Sequence, residues 1–183
     1  ILITGGTGFL GQQLCRVLLH ENHQLTILSR KPHVVFSRYQ AKVRAISRLA
    51  DLTREDSFDI VINLAGEGIA DKPWTNQRKR LLYNSRVTLT EELVDWMKRA
   101  NTPPNVFISA SAVGWYGNQR EQIIDEDSPA RDEYTYRLCQ DWEDAALAAR
   151  SLNVRVCIIR TGVVLGLQGG MLKRILPIFA LNL

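Results

Sequence analysis

The sequence predicts an α/β domain of three layers, in which helices cover both faces of a doubly wound parallel sheet. Short β-rich apolar runs alternate with longer segments of helical period, an order typical of parallel strands joined by crossover helices. The apolar runs are continuous rather than alternating, as in strands buried on both faces. Because the chain has 183 residues, of which 45% are hydrophobic, we predict a single domain over residues 1–183.

Six apolar runs are the predicted strands, and the third of them is the weakest. They are Ile1–Thr4, Gln24–Ser29, Val43–Ile46, Phe58–Leu64, Asn105–Ser109 and Val154–Arg160. The first predicted helix presents one apolar face at helical spacing, formed by Leu10, Leu14, Val17 and Leu18. A second helix is predicted from Thr75, as N-cap, toward Ala100, and a third from about Asp132 to Arg150. Residues 114–131 are predicted to form a long loop, a place where function often lies.

Composition excludes several classes of function. The three cysteines form no C-x-x-C pair and the histidines lack metal-ligand spacing, so we expect no metal site. No apolar run approaches the roughly 20 residues that span a bilayer, and no secretory pattern opens the chain. We therefore expect a cytoplasmic protein without a membrane partner. The densest basic cluster, Arg78-Lys79-Arg80, lacks interleaved aromatic residues, so we interpret it as a solvated helix face and expect no nucleic-acid partner.

A glycine-rich turn connects the first strand to the first helix, as in Rossmann-type dinucleotide-binding domains. The three glycines of this motif are Gly5, Gly8 and Gly11. A side chain at the first glycine would block the tight turn, and one at the second would hold a pyrophosphate away. A side chain at the third would push the helix off the sheet, and the helix N-terminus would face the phosphates. The predicted cofactor contacts of the turn are Gly5, Thr7, Gly8, Phe9, Leu10 and Gly11. The alternative is a tight turn that binds nothing.

The residues that follow the second strand predict which dinucleotide binds. NAD-specific proteins place an acidic residue there for the ribose 2′-hydroxyl, whereas this chain has Ser29, Arg30 and Lys31. A guanidinium and a hydroxyl at this position suit a 2′-phosphate, which indicates NADP(H) as the cofactor. A solvated basic turn is the alternative interpretation.

Two further strand ends carry candidate site residues. The fourth strand leads into Leu64-Ala65-Gly66-Glu67, where small residues would let a cofactor approach the backbone, although an ordinary turn has the same composition. The fifth strand delivers Ser109 and Ser111, whose hydroxyls could bind a substrate hydroxyl or simply bond the local backbone. Tyr116 follows and could form a pocket wall or belong to the core.

Taken together, these motifs resemble the extended short-chain dehydrogenase/reductases over almost the whole chain. The matching segments are Thr4–Gly11, Asn63–Gly66, Ser109–Ala112 with Tyr116-Gly117, Asp125–Pro129 and Arg160–Gly166. Gly66-Glu67, Trp74, Asn84-Ser85-Arg86 and Trp142-Glu143 look most like the nucleoside-diphosphate-sugar epimerase subgroup, also called the cell-division-inhibitor (SulA-like) epimerase family.

The resemblance implies a Rossmann fold, a tightly held NADP(H) and a catalytic serine at Ser111. The matched motifs add Arg86, Ser109, Arg160 and Gly162 to the expected cofactor contacts. Proteins of the subgroup continue into a smaller substrate-binding region, which we expect beyond Leu183. The expected substrate is a small molecule such as a nucleotide sugar, and the oligomeric state stays open.

One feature departs from the superfamily pattern. Its enzymes carry Tyr-x-x-x-Lys on the helix after the long loop, and counting back from Glu143 puts Thr135 and Cys139 at these two positions. A threonine hydroxyl is too weakly acidic to replace an activated phenol. Tyr116 and Tyr136 are then the candidate acid/base residues beside Ser111. Two functions stay open: an NADP-dependent oxidoreductase or epimerase, and a non-catalytic NADP(H)-binding sensor or regulatory partner.

Overall fold

Six strands form one parallel sheet in the computed structural model, which describes residues 1–166 and 169–180. They are β1 (Leu2–Thr4), β2 (Leu25–Leu28), β3 (Val43–Ile46), β4 (Ile60–Asn63), β5 (Val106–Ala112) and β6 (Arg155–Thr161). Their order is β3-β2-β1-β4-β5-β6, so the direction of winding reverses between β1 and β4. Open sheets of this kind bind ligands at that reversal, outside the carboxyl ends of the strands. All six predicted strands are confirmed, and their ends differ from the prediction by up to three residues.

Helices cover both faces of the sheet. The helices before the sixth strand are α1 (Phe9–His20), α2 (Pro32–Tyr39), α3 (Asn76–Tyr83), α4 (Leu89–Arg99) and α5 (Tyr134–Leu147), and α6 (Gly170–Ala180) follows β6. A π-helical segment, Asn84–Thr88, joins α3 to α4, so the predicted second helix is one continuous helical stretch. The short strand β7 (Leu165–Gly166) pairs with Gly169 and Gly170, and residues 181–183 lie outside the described residues.

Alternate strand residues point into two separate cores. Leu2 and Val61 pack on one face of the sheet with Trp96 and Met97 of α4, in a core that α5 also joins. On the opposite face, the core that contains Ile3, Ile27 and Ile62 also contains Cys15 of α1 and Val35 of α2. These two cores give the three layers expected from the continuous apolar runs. A third cluster packs the long helical stretch against α5, and its buried residues are Leu82, Val87, Leu138 and Trp142.

The structure confirms half of the predicted apolar face of α1. Leu14 and Leu18 pack against the core beneath the helix, whereas Leu10 and Val17 are 42% and 54% exposed. Gly11 and Cys15, which were not predicted for this face, are buried and let the helix approach the sheet. Helix α2 was not predicted, because its eight residues are too few for a clear period. It starts with Pro32, which suits the first helical position because proline has no N–H to leave unpaired.

Candidate functional site

A groove of about 1430 Å³ runs along the carboxyl ends of β2, β1 and β4. It lies over the reversal of strand order, where a dinucleotide is expected. Ten of the predicted cofactor residues line it, and they are Gly5, Thr7, Gly8, Ser29, Arg30, Lys31, Leu64, Ala65, Gly66 and Glu67. Three strand ends that are far apart in sequence therefore contribute to one surface.

The glycine turn forms the middle of the groove. Gly5 has a φ of +69°, and a Cβ there would lie 2.5 Å from the carbonyl oxygen of Leu64. A Cβ at Gly11 would collide with the backbone of Gly5 and Gly6, so this glycine allows α1 to approach the turn. A Cβ at Gly8 would meet only the Gly5 carbonyl oxygen, at 3.1 Å, among the described atoms beyond its chain neighbours and its own helix. Gly8 thus leaves room on the groove side for a ligand to approach the backbone.

The carbonyl groups of the turn are hydrogen-bonded by side chains of α1 and α2. The Tyr39 hydroxyl donates to the Gly6 carbonyl at 2.7 Å, and Gln12 Nε2 donates to the Thr7 carbonyl at 2.6 Å. Burial is the main cause that raises the pKa of Tyr39, to about 12, so the phenol remains a donor at neutral pH. Among the described residues, no side chain caps the first turn of α1, whose N-cap is Gly8. The N–H groups of that turn are therefore the natural donors for an anion in the groove.

Glu67 is the charged residue of the β4 side of the groove. Its carboxylate lies 2.9 Å from Arg30 Nη1 and 3.4 Å from Arg78 Nη1. The hydrogen bond from Arg30 is the largest cause that lowers the pKa of Glu67, and Arg78 acts in the same direction. The two arginines differ in exposure, because the side chain of Arg30 is 88% exposed and that of Arg78 only 8%.

The burial of Arg78 corrects the interpretation of the basic cluster as a solvated face. Arg78 also donates to the Gly68 carbonyl at 2.5 Å, and Lys79 Nζ lies 4.7 Å from the ring centre of Tyr134. Among the three, Arg80 is the one exposed residue. Arg78 is buried because it lies one helical turn before Leu82, which belongs to the third core cluster.

Two residues of the π-helical segment hold the backbone of Glu67. The Glu67 N–H donates to Ser85 Oγ at 3.1 Å, and Arg86 Nη2 donates to the Glu67 carbonyl at 2.8 Å. Arg86 is half-buried, and burial is the main cause that lowers the pKa of its guanidinium. The guanidinium also lies against Gly66, 3.1 Å from where a Cβ would be, and 5.4 Å from the ring centre of Trp142. The structure thus places Arg86 behind the groove wall.

A buried polar network, which the sequence analysis missed, fixes the ends of β1 and β4. Thr4 Oγ1 donates to Asn63 Oδ1 at 2.6 Å, and Asn63 Nδ2 donates to Thr90 Oγ1 at 2.8 Å. Trp142 Nε1 donates to the same threonine at 3.1 Å, and the Thr90 hydroxyl donates to the Arg86 carbonyl at 2.6 Å. This network connects the groove floor to the π-helical segment and to α5.

The groove is also lined by residues that were not predicted. Ser47, Arg48 and Leu49 follow β3, and Leu89 and Glu92 belong to α4. A sequence signal existed for the first three, because β3 was predicted and its carboxyl end must lie beside that of β2. No comparable signal pointed to α4.

Ser111 belongs to a second polar network, beside the groove. Its hydroxyl donates to Glu143 Oε1 at 2.5 Å, and the Glu143 carboxylate also accepts from Arg160 Nε at 2.9 Å and Nη2 at 2.8 Å. Arg160 Nη1 donates to the Tyr116 hydroxyl at 3.1 Å, and its guanidinium lies 3.6 Å from the ring centre of Trp115. The hydrogen bonds to Glu143 are the main cause that raises the pKa of Arg160. Ser111, Tyr116 and Arg160 are thus brought together, but none of them lines the groove.

Helix α5 directs Thr135 and Cys139 toward the end of β5. A Cβ on Gly114 would lie 3.2 Å from Thr135 Cβ and 3.8 Å from Cys139 Sγ. This is the helix face on which the sequence alignment from Glu143 expects an acid/base pair. Burial is the main cause that raises the pKa of the Cys139 thiol. Tyr136 packs edge-on against Trp115, with ring centres 5.7 Å apart.

The other predicted cofactor residues lie outside the groove lining. The ring of Phe9 packs against Gly166, Gly169 and Gly170, and Leu10 is 42% exposed. Ser109 is fully buried and its hydroxyl bonds the Ala110 carbonyl at 3.3 Å. Gly162 is exposed beside Val113.

Neither a metal centre nor a membrane span is found in the described part of the chain. Within residues 1–166 and 169–180, no group of three or more His, Cys, Asp or Glu residues is placed to hold a metal ion. None of the helices described there is long and apolar enough to cross a membrane.

Known proteins resemble this chain in sequence along its whole length. It is 35% identical to the chloroplastic epimerase family protein SDR39U1 homologue of Arabidopsis thaliana, over 98% of this chain and 53% of the relative. It is 33% identical to human epimerase family protein SDR39U1, over 100% of this chain and 60% of the relative. The chain therefore spans little more than half the length of these relatives.

Solved structures give the same picture of the fold. Human SDR39U1 with NADPH matches with a TM-score of 0.82 and 29% identity, over 98% of this chain and 59% of that one. A nucleoside-diphosphate sugar epimerase of Corynebacterium glutamicum matches with a TM-score of 0.80 and 32% identity, over 98% and 37%. The family model described as NAD dependent epimerase/dehydratase family matches residues 1–183. With its Rossmann-type sheet and glycine turn, this chain belongs to the NAD-dependent epimerase/dehydratase family, within the extended short-chain dehydrogenase/reductases.

Proposed function

We propose that the groove binds NADP(H), with the adenosine half at the ends of β2 and β3 and the pyrophosphate at the glycine turn. The observation that carries this proposal is Arg30, whose exposed guanidinium lies at the β2 end of the groove beside Ser29 and Lys31. A guanidinium there suits a 2′-phosphate, which NADPH has and NADH lacks. The human relative was solved with NADPH, which supports the same choice.

The proposed reaction is that of an NADP-dependent oxidoreductase or epimerase acting on a nucleotide sugar or a similar hydroxylated small molecule. The cofactor would accept a hydride from a carbinol carbon of the substrate and return it or pass it on. The relative from Corynebacterium glutamicum, named a nucleoside-diphosphate sugar epimerase, supports this substrate class.

Proton transfer in this reaction needs a group other than Thr135 or Cys139. A neutral threonine is a poor base, and a buried thiol offers no positive charge to stabilise a phenolate. Of the two candidate tyrosines, Tyr116 is favoured, because its hydroxyl accepts a hydrogen bond from the Arg160 guanidinium at 3.1 Å. This hydrogen bond fixes the phenol beside the network that contains Ser111.

The second candidate function is a non-catalytic NADP(H)-binding sensor or regulatory partner. One observation favours it: the Ser111 hydroxyl donates a hydrogen bond to the buried Glu143 carboxylate at 2.5 Å. A serine hydroxyl held in this way has a structural role and is less available to bind a substrate. The groove and its cofactor are the same in both functions.

Cofactor preference tests the proposal directly. Fluorescence titration of the full-length protein is expected to give a Kd for NADPH at least about tenfold below that for NADH, equivalent to roughly 1.4 kcal/mol. Arg30→Asp should remove most of this preference, since it removes a partner of the phosphate and adds a like charge. Arg80→Asp is the comparison for the same change of charge, since Arg80 is exposed and does not line the groove. Equal Kd values for the two dinucleotides in the wild-type protein would refute the NADP(H) preference.

A further inference from the structure

The ion pair between Arg30 and Glu67 spans the groove. Arg30 follows β2 and Glu67 follows β4, and these strands are the two neighbours of β1. Because adjacent strands lie about 4.8 Å apart, the pair connects strand ends about 10 Å apart. Between them lies the glycine turn that follows β1. The proposed partner of the 2′-phosphate is therefore already bound to a carboxylate of the opposite groove wall.

We propose that Glu67 is a specificity-determining residue that competes with the 2′-phosphate of the cofactor for Arg30. This inference rests on the proposed NADP(H) binding and adds a residue that opposes it. In the free protein Glu67 holds Arg30, and NADPH binding exchanges this carboxylate for the phosphate. NADH lacks the 2′-phosphate, so it offers Arg30 no such partner.

The side chain of Arg30 is free to make this exchange. It is 88% exposed, and its pairing with Glu67 is a single contact at 2.9 Å. Exposed ion pairs of this kind are weak, because water and salt screen them and the long side chain loses conformational freedom. A 2′-phosphate carries more charge and more acceptor oxygens than one carboxylate, so it is the stronger partner.

If Arg30 moves away, Glu67 still has a cationic partner. Its second cation, Arg78, is 8% exposed on its side chain and is anchored to the Gly68 carbonyl at 2.5 Å. The backbone of Glu67 is held on both sides, by Ser85 through its N–H and by Arg86 through its carbonyl. The carboxylate therefore stays neutralised and in place while Arg30 moves. One buried arginine and one exposed arginine on the same carboxylate are suited to such an exchange.

A double-mutant cycle on the full-length protein tests the competition. Kd values for NADPH, NADH and 2′,5′-ADP are measured in wild type, Glu67→Gln, Arg30→Ala and the double variant. Glu67→Gln should tighten NADPH and 2′,5′-ADP binding by about 1.5- to 5-fold, the range expected when an exposed ion pair no longer competes. NADH binding should tighten less than NADPH binding, and in the Arg30→Ala background the effects of Glu67→Gln on the two dinucleotides should become equal.

A second variant protects the test against loss of folding. Glu67→Asp keeps the negative charge near the buried Arg78 but shortens the side chain, so the carboxylate should contact the exposed Arg30 less. NADPH binding should therefore tighten in this variant as well. Two results would overturn the competition and leave the NADP(H) preference standing. One is weaker binding of both NADPH and NADH in Glu67→Gln. The other is an equal effect of Glu67→Gln on NADPH binding with and without Arg30. Equal wild-type Kd values for NADPH and NADH would overturn both the competition and the NADP(H) preference.

Discussion

The hydroxyl of Tyr39 connects the glycine turn to a helix that the sequence analysis did not predict. Tyr39 is 5% exposed and donates to the Gly6 carbonyl at 2.7 Å, 33 residues away in sequence. The nearby Cys15 thiol is a weak second partner of this carbonyl, at 3.9 Å. The orientation of the turn, and with it the N–H groups offered to a phosphate, therefore depends strongly on one phenol.

We expect Tyr39→Phe to lower the free energy of unfolding by about 1–2 kcal/mol, since the buried Gly6 carbonyl loses its strong donor. NADPH binding should weaken as well, because the turn is less firmly held. Denaturant unfolding and fluorescence titration measure the two effects. Tyr83→Phe is the matched control, since Tyr83 is 37% exposed on the surface of α3. Equal losses of stability in both variants would contradict this role of Tyr39.

Tyr39 also predicts how stability depends on alkaline pH. Its pKa is about 12 in the folded protein, against a reference value of 10.0. Above pH 10 the unfolded chain therefore loses a proton that the folded protein keeps. The contribution of Tyr39 to stability is complete below pH 10 and is lost as the pH rises toward 12. Unfolding free energies measured across this range should fall less steeply in Tyr39→Phe than in the wild type.

Individual residues also show where sequence reasoning reaches its limit. Arg78, Lys79 and Arg80 look alike in sequence, yet they are buried, half-buried and exposed in turn. They differ in their position around helix α3 relative to the buried Leu82, because only Arg78, four residues earlier, lies on the same face. The partners Thr4 and Asn63, by contrast, are 59 residues apart, and no local pattern indicates that they meet. Such pairs follow from the sheet order, which must be known first.

At the scale of elements, the π-helical segment joins the cofactor groove to the helical layer. It supplies both Ser85 and Arg86 to the backbone of Glu67. Helical segments with wider turns are frequent at functional sites, because they redirect side chains from the regular α-helical spacing. Here the redirected residues support the wall of the groove.

Arg86→Ala is expected to weaken NADPH binding by about tenfold, because the Glu67 carbonyl loses a charge-assisted hydrogen bond and the groove wall can shift. Arg80→Ala should leave the Kd unchanged, since Arg80 is exposed on the same helical stretch. Fluorescence titration of both variants measures the difference. If neither variant alters the Kd, Arg86 has no part in cofactor binding.

At the scale of the whole molecule, strand content and the glycine turn were predictable, and the shape of the groove was only partly so. The strand order follows from right-handed crossovers and the switch in winding, which the alternating pattern implies. The contribution of α4 to the groove does not follow from any motif, because it depends on how a long helix packs across the sheet. The second network likewise depends on how β5, α5 and β6 meet in space, which no local pattern indicates.

We predict that the proposed reaction proceeds without a tyrosine-lysine pair. Tyr116→Phe should reduce turnover by about 10²- to 10⁴-fold, the usual contribution of a general acid/base, and leave NADPH binding intact. The assays are NADPH oxidation with carbonyl substrates and epimerisation of nucleotide sugars. They are also applied to the variants Ser111→Ala, Tyr136→Phe and Thr135→Val. Turnover lost only in Thr135→Val would show that the helix alignment is wrong. Intact NADPH binding with no turnover in any variant, wild type included, would favour the sensor function.

The π-helical segment has a consequence for how the length of this chain can vary. A hydrogen bond joins the Leu89 N–H to the Asn84 carbonyl, five residues apart, so the turn contains one residue more than an α-helical turn. Deleting one residue between 84 and 88 would convert this wide turn into a regular α-helical turn and leave α3 and α4 nearly in phase, because the wide turn already accommodates the extra residue. Leu82 would keep its place in the core, but Ser85 and Arg86 would no longer both face the Glu67 backbone. A change of length at this point therefore alters the support of the groove wall, whereas the same change elsewhere in α3 or α4 would rotate one helix by about 100°.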